Sequence, residues 1–319
     1  MARFSTAASG EAPKAGPFAL NDRESYAAWR AWKLAAHPRR VEELVVPIGN
    51  PRAPTADETA AILELARRAN MAVFDTHERS GRTDAGLEKS LKAFAAHFGL
   101  TTLEDHRSRD AEELVPIEVV DDQRQGRGGF IPYTTRRLLW HTDGYYKFGY
   151  PGAPVIRAMM LYCVRQAKEG GENDVLDPEI AYIRLRDADP RFITALMAPD
   201  AMTIPAFTEQ DGRVRPRSQG PVFWLDAASG ALHMRYTERT RHVIWKDDPL
   251  TREAVAALRD LLRRADDPYL LRLRLLPGQG LICNNVLHTR SAFVDWDEPG
   301  RRRLLYRGRY TERIGRPAM

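Results

Sequence analysis

Apolar residues at helical spacing mark three segments of the chain. The first begins where Thr55 and Glu58 have the spacing of a capping box, and its apolar face consists of Ile62, Leu65, Ala66 and Ala69. The second ends at Gly99, and its apolar face consists of Leu87, Leu91, Phe94, Ala95 and Phe98. A third helix is predicted over 251–265, with three inward residues, Val255, Leu258 and Leu262. The first hundred residues therefore read as mainly helical.

Strand patterns dominate from about residue 115 onward. The strand-like segments of the whole chain are 71–77, 115–122, 154–164, 270–284 and 301–313. Residues 166–178 and 205–220 are rich in Gly, Pro and polar side chains, which predicts loops. The pattern predicts an α+β fold with a mainly β core of antiparallel strands and with helices packed outside or ahead of it. We expect a disordered leader over 1–20 and a single domain over 21–319.

Composition and charge narrow the range of partners. A 43% hydrophobic fraction in 319 residues is enough for a sizeable core. The net charge of +5 is small and spread along the chain, so it is weak evidence for nucleic acid and fits an anionic small molecule equally well. We expect no nucleic-acid partner and no membrane partner, since no apolar run approaches the length of a membrane span. Cys163 and Cys283 lie in apolar runs, which favours buried, reduced thiols and a cytoplasmic location.

The candidate chemistry centres on the segment LLWHTDGYY at 138–146. In an extended chain, residues two apart point to the same face, so His141 and Asp143 project together. An ordinary polar pair at a strand edge is the alternative. His288 offers a third ligand, because it directly follows a strand and a turn. Two histidines and one carboxylate form the facial triad of non-haem Fe(II) oxygenases, although zinc accepts the same ligands.

A pair of arginines near the end of the chain bears on the choice of metal. Arg303 and Arg307 are four residues apart in the last strand-like segment, so they share a face. An arginine fork binds a carboxylate through two parallel hydrogen bonds, as a dicarboxylate cosubstrate that chelates iron at its other end requires. A solvated charge run is the alternative, because this part of the chain contains further arginines.

Four stretches together resemble the TauD/TfdA-type Fe(II)- and 2-oxoglutarate-dependent dioxygenases. They are WHTDG at 140–144, EGGEN at 169–173, LPGQGLICNNVLHTR at 276–290 and RRLLYR at 302–307. The resemblance spans roughly residues 90–313. It implies a double-stranded β-helix (jelly-roll) core from about residue 115 with flanking helices. It also implies Fe(II) bound by His141, Asp143 and His288, with 2-oxoglutarate and O₂ as cosubstrates.

The resemblance assigns further roles around this site. It implies that Arg303 pairs with the distal carboxylate of 2-oxoglutarate and that Arg307 lies near the substrate or the other end of the cosubstrate. Asn173 stands where the family has a threonine that helps to hold 2-oxoglutarate. Candidate pocket residues are Trp140, Tyr145, Tyr146 and Arg137, with core packing or a surface salt bridge as the alternatives. Surface or loop positions are expected for His233 and His242.

The implied reaction is hydroxylation of an unactivated C–H bond in a small organic substrate, with release of succinate and CO₂. The arginines favour an anionic substrate and the aromatic residues favour an aryl or apolar one. Relatives often form dimers or tetramers, so a homo-oligomer is expected. Two other functions remain open: a metal-dependent cupin-like hydrolase or isomerase that does not need 2-oxoglutarate, and a non-catalytic 2-oxoglutarate sensor.

Overall fold

The chain, described here by a computed structural model, divides into two compact units. Unit 1 comprises Met1–His37, Trp140–Val155 and Leu176–Tyr269, and unit 2 comprises Pro38–Leu139, Ile156–Val175 and Leu270–Met319. The structure describes residues 15–81, 83, 85–104, 114–120, 131–148, 155–208, 212, 214–227, 229–239 and 243–315.

Helices and runs of consecutive strands make up the described part of the chain. Its α-helices are α1 (Arg23–Ala36), α2 (Ala56–Ala69), α3 (Ala85–Ala96), α4 (Pro178–Ala188), α5 (Pro190–Leu196) and α6 (Pro249–Leu262). Its strands are β1 (Val45–Pro47), β2 (Met71–Asp75), β3 (Val115–Ile117), β4 (Leu138–His141), β5 (Ala158–Arg165), β6 (Glu169–Gly170), β7 (Asn173–Leu176), β8 (Met202–Ile204), β9 (Phe207–Thr208), β10 (Val214–Arg215), β11 (Ser218–Gly220), β12 (Phe223–Leu225), β13 (Leu232–Met234), β14 (Ile244–Trp245), β15 (Leu271–Leu273), β16 (Gln279–Cys283), β17 (Leu287–Arg290), β18 (Phe293–Val294) and β19 (Leu304–Tyr310). The prediction of a mixed helix and sheet fold is confirmed.

Unit 2 contains the larger sheets. Its six-stranded sheet has the order β1-β2-β16-β5-β19-β3, and every pair in it is antiparallel except β1–β2. A second sheet has the order β15-β7-β17-β4, and β18 pairs with β6. The predicted strands at 71–77, 115–122, 154–164, 270–284 and 301–313 correspond to β2, β3, β5, β15 with β16, and β19, although residues 121–122 and 154 lie outside the described residues. Since β1 and β2 belong to the larger sheet, that sheet begins well before residue 115.

The predicted capping box and apolar face explain why α2 forms where it does. The hydroxyl of Thr55 accepts from the Glu58 backbone N–H, and the Glu58 carboxylate accepts from the Thr55 N–H. The helix ends at Asn70, which adopts the left-handed conformation. Its buried residues are the predicted ones, Ile62, Leu65, Ala66 and Ala69. The other two predicted helices are also present, as α3 and α6.

Both predicted loops were wrong, because they contain short strands. β6 and β7 lie within 166–178, and β9, β10 and β11 lie within 205–220. Polar side chains in these strands are buried where a neighbouring backbone supplies a partner. Ser218, for example, is fully buried and its hydroxyl donates to the Phe148 carbonyl at 2.7 Å. Amino-acid composition predicts a loop for such residues, because it contains no information about hydrogen-bond partners that are distant in sequence.

The predicted leader over 1–20 extends too far. Residues 1–14 lie outside the described residues, but the chain from residue 15 is built into unit 1. Ala19 is fully buried, and the Phe18 ring packs edge-to-face on Trp29 at 5.0 Å. The buried Arg186 donates to the carbonyls of Pro17 and Ala19 at 2.7 and 3.0 Å. These contacts order the segment from residue 15.

Unit 1 combines α1, α4, α5 and α6 with three small sheets, β11-β8-β14, β12-β13 and β10-β9. A charged cluster is buried among its helices. Lys33 of α1 is fully buried and its ammonium lies 2.6 Å from the Asp177 carboxylate and 2.5 Å from the Glu179 carboxylate. Burial alone lowers the pKa of Lys33, but the two carboxylates outweigh it and hold that pKa above its ordinary value.

None of the described helices has the length and apolar character needed to cross a membrane. The cytoplasmic location stays a prediction.

The buried cluster generates a stability prediction. Lys33→Met keeps much of the side-chain volume but leaves two carboxylates without their cation, so we expect the free energy of unfolding to fall by about 3–5 kcal/mol. Urea denaturation followed by circular dichroism measures the change. Arg40→Met is the matched control, because its pair with Glu43 is at the surface and its loss should shift the midpoint little. Equal shifts in the two variants would contradict the prediction.

Candidate active site

The first two candidate ligands lie where β4 ends. His141 is the last residue of β4 and forms an isolated antiparallel bridge with Thr237. Thr142 is bonded to the neighbouring Tyr236: its backbone N–H donates to the Tyr236 carbonyl at 3.0 Å, and its hydroxyl accepts from the Tyr236 N–H at 3.1 Å. These two bonds fix the backbone between His141 and Asp143.

The turn after Asp143 is held by a buried arginine. Gly144 has φ +70°, and the Lys147 N–H donates to its carbonyl at 2.8 Å. The Arg235 guanidinium donates to the Tyr145 carbonyl at 2.6 Å and to three further carbonyls, those of Met202, Gly220 and Ser218. Burial lowers the pKa of Arg235 to about 9, so it stays charged at neutral pH. Sequence reasoning missed this residue, because an arginine within an arginine-rich stretch gives no signal of burial.

Phe148 fixes the far end of the same segment. Its ring meets Trp224 edge-to-face at 5.1 Å and lies so close to Gly220 that a Cβ there would fall 2.2 Å from a ring carbon. Only glycine allows this approach. The segment that carries Asp143 is therefore anchored at Thr142, Tyr145 and Phe148.

His288 is presented by the fully buried strand β17. Its Nδ1 lies 3.0 Å from the Val286 carbonyl, and a carbonyl partner requires that Nδ1 carries the proton. In that tautomer the lone pair is on Nε2, the arrangement usual for a histidine ligand oriented by a second hydrogen bond. The preceding turn is set by Asn285, which has φ +50° and donates from its amide to the Ile156 carbonyl at 2.9 Å.

His141, Asp143 and His288 each offer one ligand atom, and these atoms all lie within 4.8 Å of one another. Asp143 and His288 are buried, with exposed fractions of 6% and 5%. Bonds of about 2.0–2.2 Å from imidazole nitrogen and carboxylate oxygen to one ion fit this spacing. The donor set is that of the non-haem Fe(II) facial triad, which leaves coordination positions open.

Unit 2 contains a cavity around Arg303. Its lining residues are Cys163, Gln166, Ala167, Gly170, Gly171, Asn173, Arg274, Leu275, Arg303 and Leu305, and no carboxylate is among them. Arg303 is buried, and burial lowers its pKa to about 10, so it is a cation at neutral pH. Burial raises the pKa of Cys163 to about 12, so that thiol is neutral. The cavity is therefore positively charged.

The backbone around Arg303 is fixed from two sides. The Asp295 carboxylate accepts from the Arg303 backbone N–H at 2.7 Å, which leaves the guanidinium for other partners. Gly170 has φ +75°, and a Cβ on it would lie 2.3 Å from the Ala292 carbonyl oxygen, so the EGGEN turn needs glycine there. Asn173 is buried in the same lining and its amide donates to the Thr289 carbonyl at 2.6 Å.

Other candidate residues lie in different surroundings. Arg303 immediately precedes β19, whereas Arg307 lies within β19, opposite Leu161 and Val115, and is not among the cavity-lining residues. Trp140 is buried and Arg137 is exposed. Half-buried rings of Tyr145 and Tyr146 meet edge-to-face at 5.3 Å.

The expected surface position of His233 was wrong. It is buried in β13, and its ring stacks on Trp224 with centroids 5.2 Å apart. An imidazole has apolar ring faces and can be buried against an aromatic ring. The arginines near His233 in the sequence indicated a surface position instead. His242 lies outside the described residues.

Comparison with known proteins adds two named relatives. Uridine-5'-phosphate dioxygenase from Amycolatopsis sp. is 34% identical over 187 residues, which cover 56% of this chain and 62% of that protein. The protein of the same name from Streptomyces sp. is 32% identical over 218 residues, 66% of this chain and 74% of that protein. The match thus spans less than two thirds of the first relative and about three quarters of the second.

Solved structures share the fold at low identity. The non-heme iron oxygenase OrfP in complex with Fe and alpha-ketoglutaric acid is 18% identical, with a TM-score of 0.57 over 81% of this chain and 80% of OrfP. An asparagine oxygenase is 14% identical, with a TM-score of 0.55 over 88% of this chain and 90% of that one. A family model described as taurine catabolism dioxygenase TauD, TfdA family matches residues 34–309. Because that match covers most of the chain, the protein belongs to the TauD/TfdA family.

Proposed function

We propose that this protein is an Fe(II)- and 2-oxoglutarate-dependent dioxygenase that hydroxylates an unactivated C–H bond of a small organic substrate and releases succinate and CO₂. The observation that carries the proposal is the convergence of His141, Asp143 and His288 within 4.8 Å. Membership of the TauD/TfdA family supports it. We also propose that the chain forms a single domain. Its six-stranded and four-stranded sheets would be the two layers of a double-stranded β-helix.

Three side chains would bind the metal, and neighbouring residues hold them in position. His141, Asp143 and His288 would hold Fe(II), which supplies O₂ activation coupled to decarboxylation of the cosubstrate. The Val286 carbonyl keeps the proton on Nδ1 of His288 and so presents Nε2 to the ion. Arg235 and Phe148 keep the Asp143 turn in place through backbone contacts that do not involve the carboxylate. Preformed ligands lower the entropic cost of binding the ion.

Arg303 would bind the distal carboxylate of 2-oxoglutarate. Its guanidinium is a buried cation in a cavity without an acid, and such a charge is costly unless an anion joins it. A carboxylate accepts two parallel hydrogen bonds from an arginine fork. Asn173 lines the same cavity, and an amide nitrogen has two N–H donors, so one is left after its bond to Thr289. Arg307 is assigned to the cosubstrate end of the site on the family resemblance alone.

The charge of this cavity favours the dioxygenase over a cupin-like hydrolase or isomerase. Neither a hydrolase nor an isomerase needs a buried cation reserved for a second carboxylate. A non-catalytic 2-oxoglutarate sensor would use the same cavity, and it differs in releasing no succinate.

The substrate we propose is a small anionic molecule, with a nucleoside 5'-phosphate as the first candidate. The two curated relatives are named for uridine-5'-phosphate, at 34% and 32% identity. The aromatic character of Tyr145 and Tyr146 after the Asp143 turn suits a molecule with a ring. A dimeric or tetrameric assembly stays a prediction.

The metal site generates a direct prediction. Asp143→Ala should abolish the visible charge-transfer band that Fe(II) and 2-oxoglutarate produce together without O₂, because two histidines alone bind iron weakly. Circular dichroism should show an unchanged fold. Asp247→Ala, which removes a carboxylate that is 96% exposed, is the control and should keep the band. A normal band in the Asp143 variant would remove this residue from the site.

The cosubstrate cavity generates a second prediction. Arg303→Ala removes a charge-assisted fork, so the 2-oxoglutarate concentration for half-maximal succinate release should rise roughly 10- to 100-fold. Arg303→Lys should recover part of the loss, since it restores the charge without the fork. The control is Arg301→Ala, an exposed arginine stacked on Trp296, with an unchanged requirement expected. If Arg303→Ala also left the requirement unchanged, the cavity would not be the cosubstrate site.

A further inference from the structure

A small hairpin of unit 1 exposes apolar side chains to solvent. Its strands β9 and β10 pair Phe207 with Arg215 and Thr208 with Val214. Phe207 is 49% exposed and Val214 is 63% exposed. Cross-strand partners share one face of a hairpin, so Phe207 lies beside Arg215, whereas Val214 lies on the opposite face.

Arg215 lies on this hairpin between two aromatic rings. Its guanidinium carbon is 5.5 Å from the ring centre of Tyr146 and 5.8 Å from that of Phe207. Both distances are within the range of cation–π attraction, which holds the planar group in one orientation. Its Nη2 donates to the Pro205 carbonyl at 3.1 Å, and this contact also restricts the side chain.

No described residue provides a carboxylate for Arg215. Nε of this arginine is buried and has no hydrogen-bond partner, and the Pro205 carbonyl is the one acceptor that its guanidinium contacts among the described residues. A half-buried guanidinium with unused donors is costly, and an anionic ligand relieves that cost. The fork geometry of arginine matches a phosphate or carboxylate particularly well.

Tyr146 connects this cation with the candidate metal site. It comes three residues after Asp143, in the turn that the Lys147 N–H closes on the Gly144 carbonyl. The same turn is anchored by Arg235 through the Tyr145 carbonyl. Arg215 therefore stacks on a residue whose backbone is held rigidly beside a metal ligand.

We propose that Arg215, clamped between Tyr146 and Phe207, binds the phosphate group of a phosphate-monoester substrate. This inference rests on the proposed function, because it names the part of the substrate that the same site recognises. Arg215 acts as a binding residue: it orients the phosphate end of the substrate, and the two aromatic rings restrict the orientation of its guanidinium. It takes no part in the oxidation itself.

Arg217 provides a matched control within the same segment. It lies two residues after Arg215, is exposed, and has no aromatic ring against it in the described structure. Both residues contribute one positive charge to the same region. A general electrostatic attraction would depend on them equally, whereas a built phosphate site depends on Arg215 alone.

The test compares uridine 5'-phosphate with uridine as probes of the Fe(II)- and 2-oxoglutarate-loaded protein. Calorimetry without O₂ measures the affinity for each probe, and succinate release in air measures KM and kcat. We expect Arg215→Ala to weaken uridine 5'-phosphate binding and to raise its KM roughly 10- to 100-fold, with uridine unaffected. Arg215→Lys should recover part of the loss. Arg217→Ala should change the affinity less than about threefold.

Several outcomes would overturn the proposal. One is equal binding of uridine 5'-phosphate and uridine by the unaltered protein, and another is equal loss in the Arg215 and Arg217 variants. Tight binding of a carboxylate or sulfonate probe with no binding of uridine 5'-phosphate would also reject a phosphate site. In each case an intact charge-transfer band together with succinate release would show that the proposed dioxygenase function stands, whereas an absent band would reject that function itself.

Discussion

The candidate active site depends on buried arginines that use backbone carbonyls as partners. Arg290 donates to the carbonyls of the segment before β4, those of Ile131, Pro132, Thr134 and Arg136. Arg235 donates to the Tyr145 carbonyl after β4. Burial lowers the pKa of each to about 9, so both remain cations. A guanidinium has five donors in a rigid plane, and it can therefore fix several chain segments at once.

A cation placed among carbonyls differs in function from one left beside a cavity. The terminal nitrogens of Arg290 and the guanidinium of Arg235 donate to several backbone carbonyls, so both side chains act as fixed internal supports. Arg303 is equally buried, but the carboxylate near it accepts from its backbone N–H rather than from its guanidinium. Arg215 has one carbonyl acceptor and two aromatic neighbours. The same side chain thus serves as scaffold or as binding group, according to how many of its donors the fold uses.

The sequence predicted those parts of the structure that depend on local patterns. The capping box and apolar face of α2, five of the six strands of the larger sheet and the HTD segment were visible in neighbouring residues, whereas β1 was not predicted. His288 stood out in the sequence because it follows a strand and a turn, and the family resemblance then joined it to His141, 147 positions away. Arg235, Arg290 and the stacked His233 could not be recognised as buried, because their partners are carbonyls and rings that are distant in sequence. Charge in a sequence predicts exposure on average, and these residues are exceptions created by tertiary contacts.

Cys163 gives the cavity around Arg303 a chemical property of its own. Oxidants attack the thiolate form of cysteine much faster than the thiol, and with a pKa of about 12 this residue holds its proton at any physiological pH. Sulfenic acid formation at this wall would place a polar, larger group where the lining is closely packed. In the proposed dioxygenase, the burial that keeps this thiol protonated would protect the wall of this cavity from oxidation.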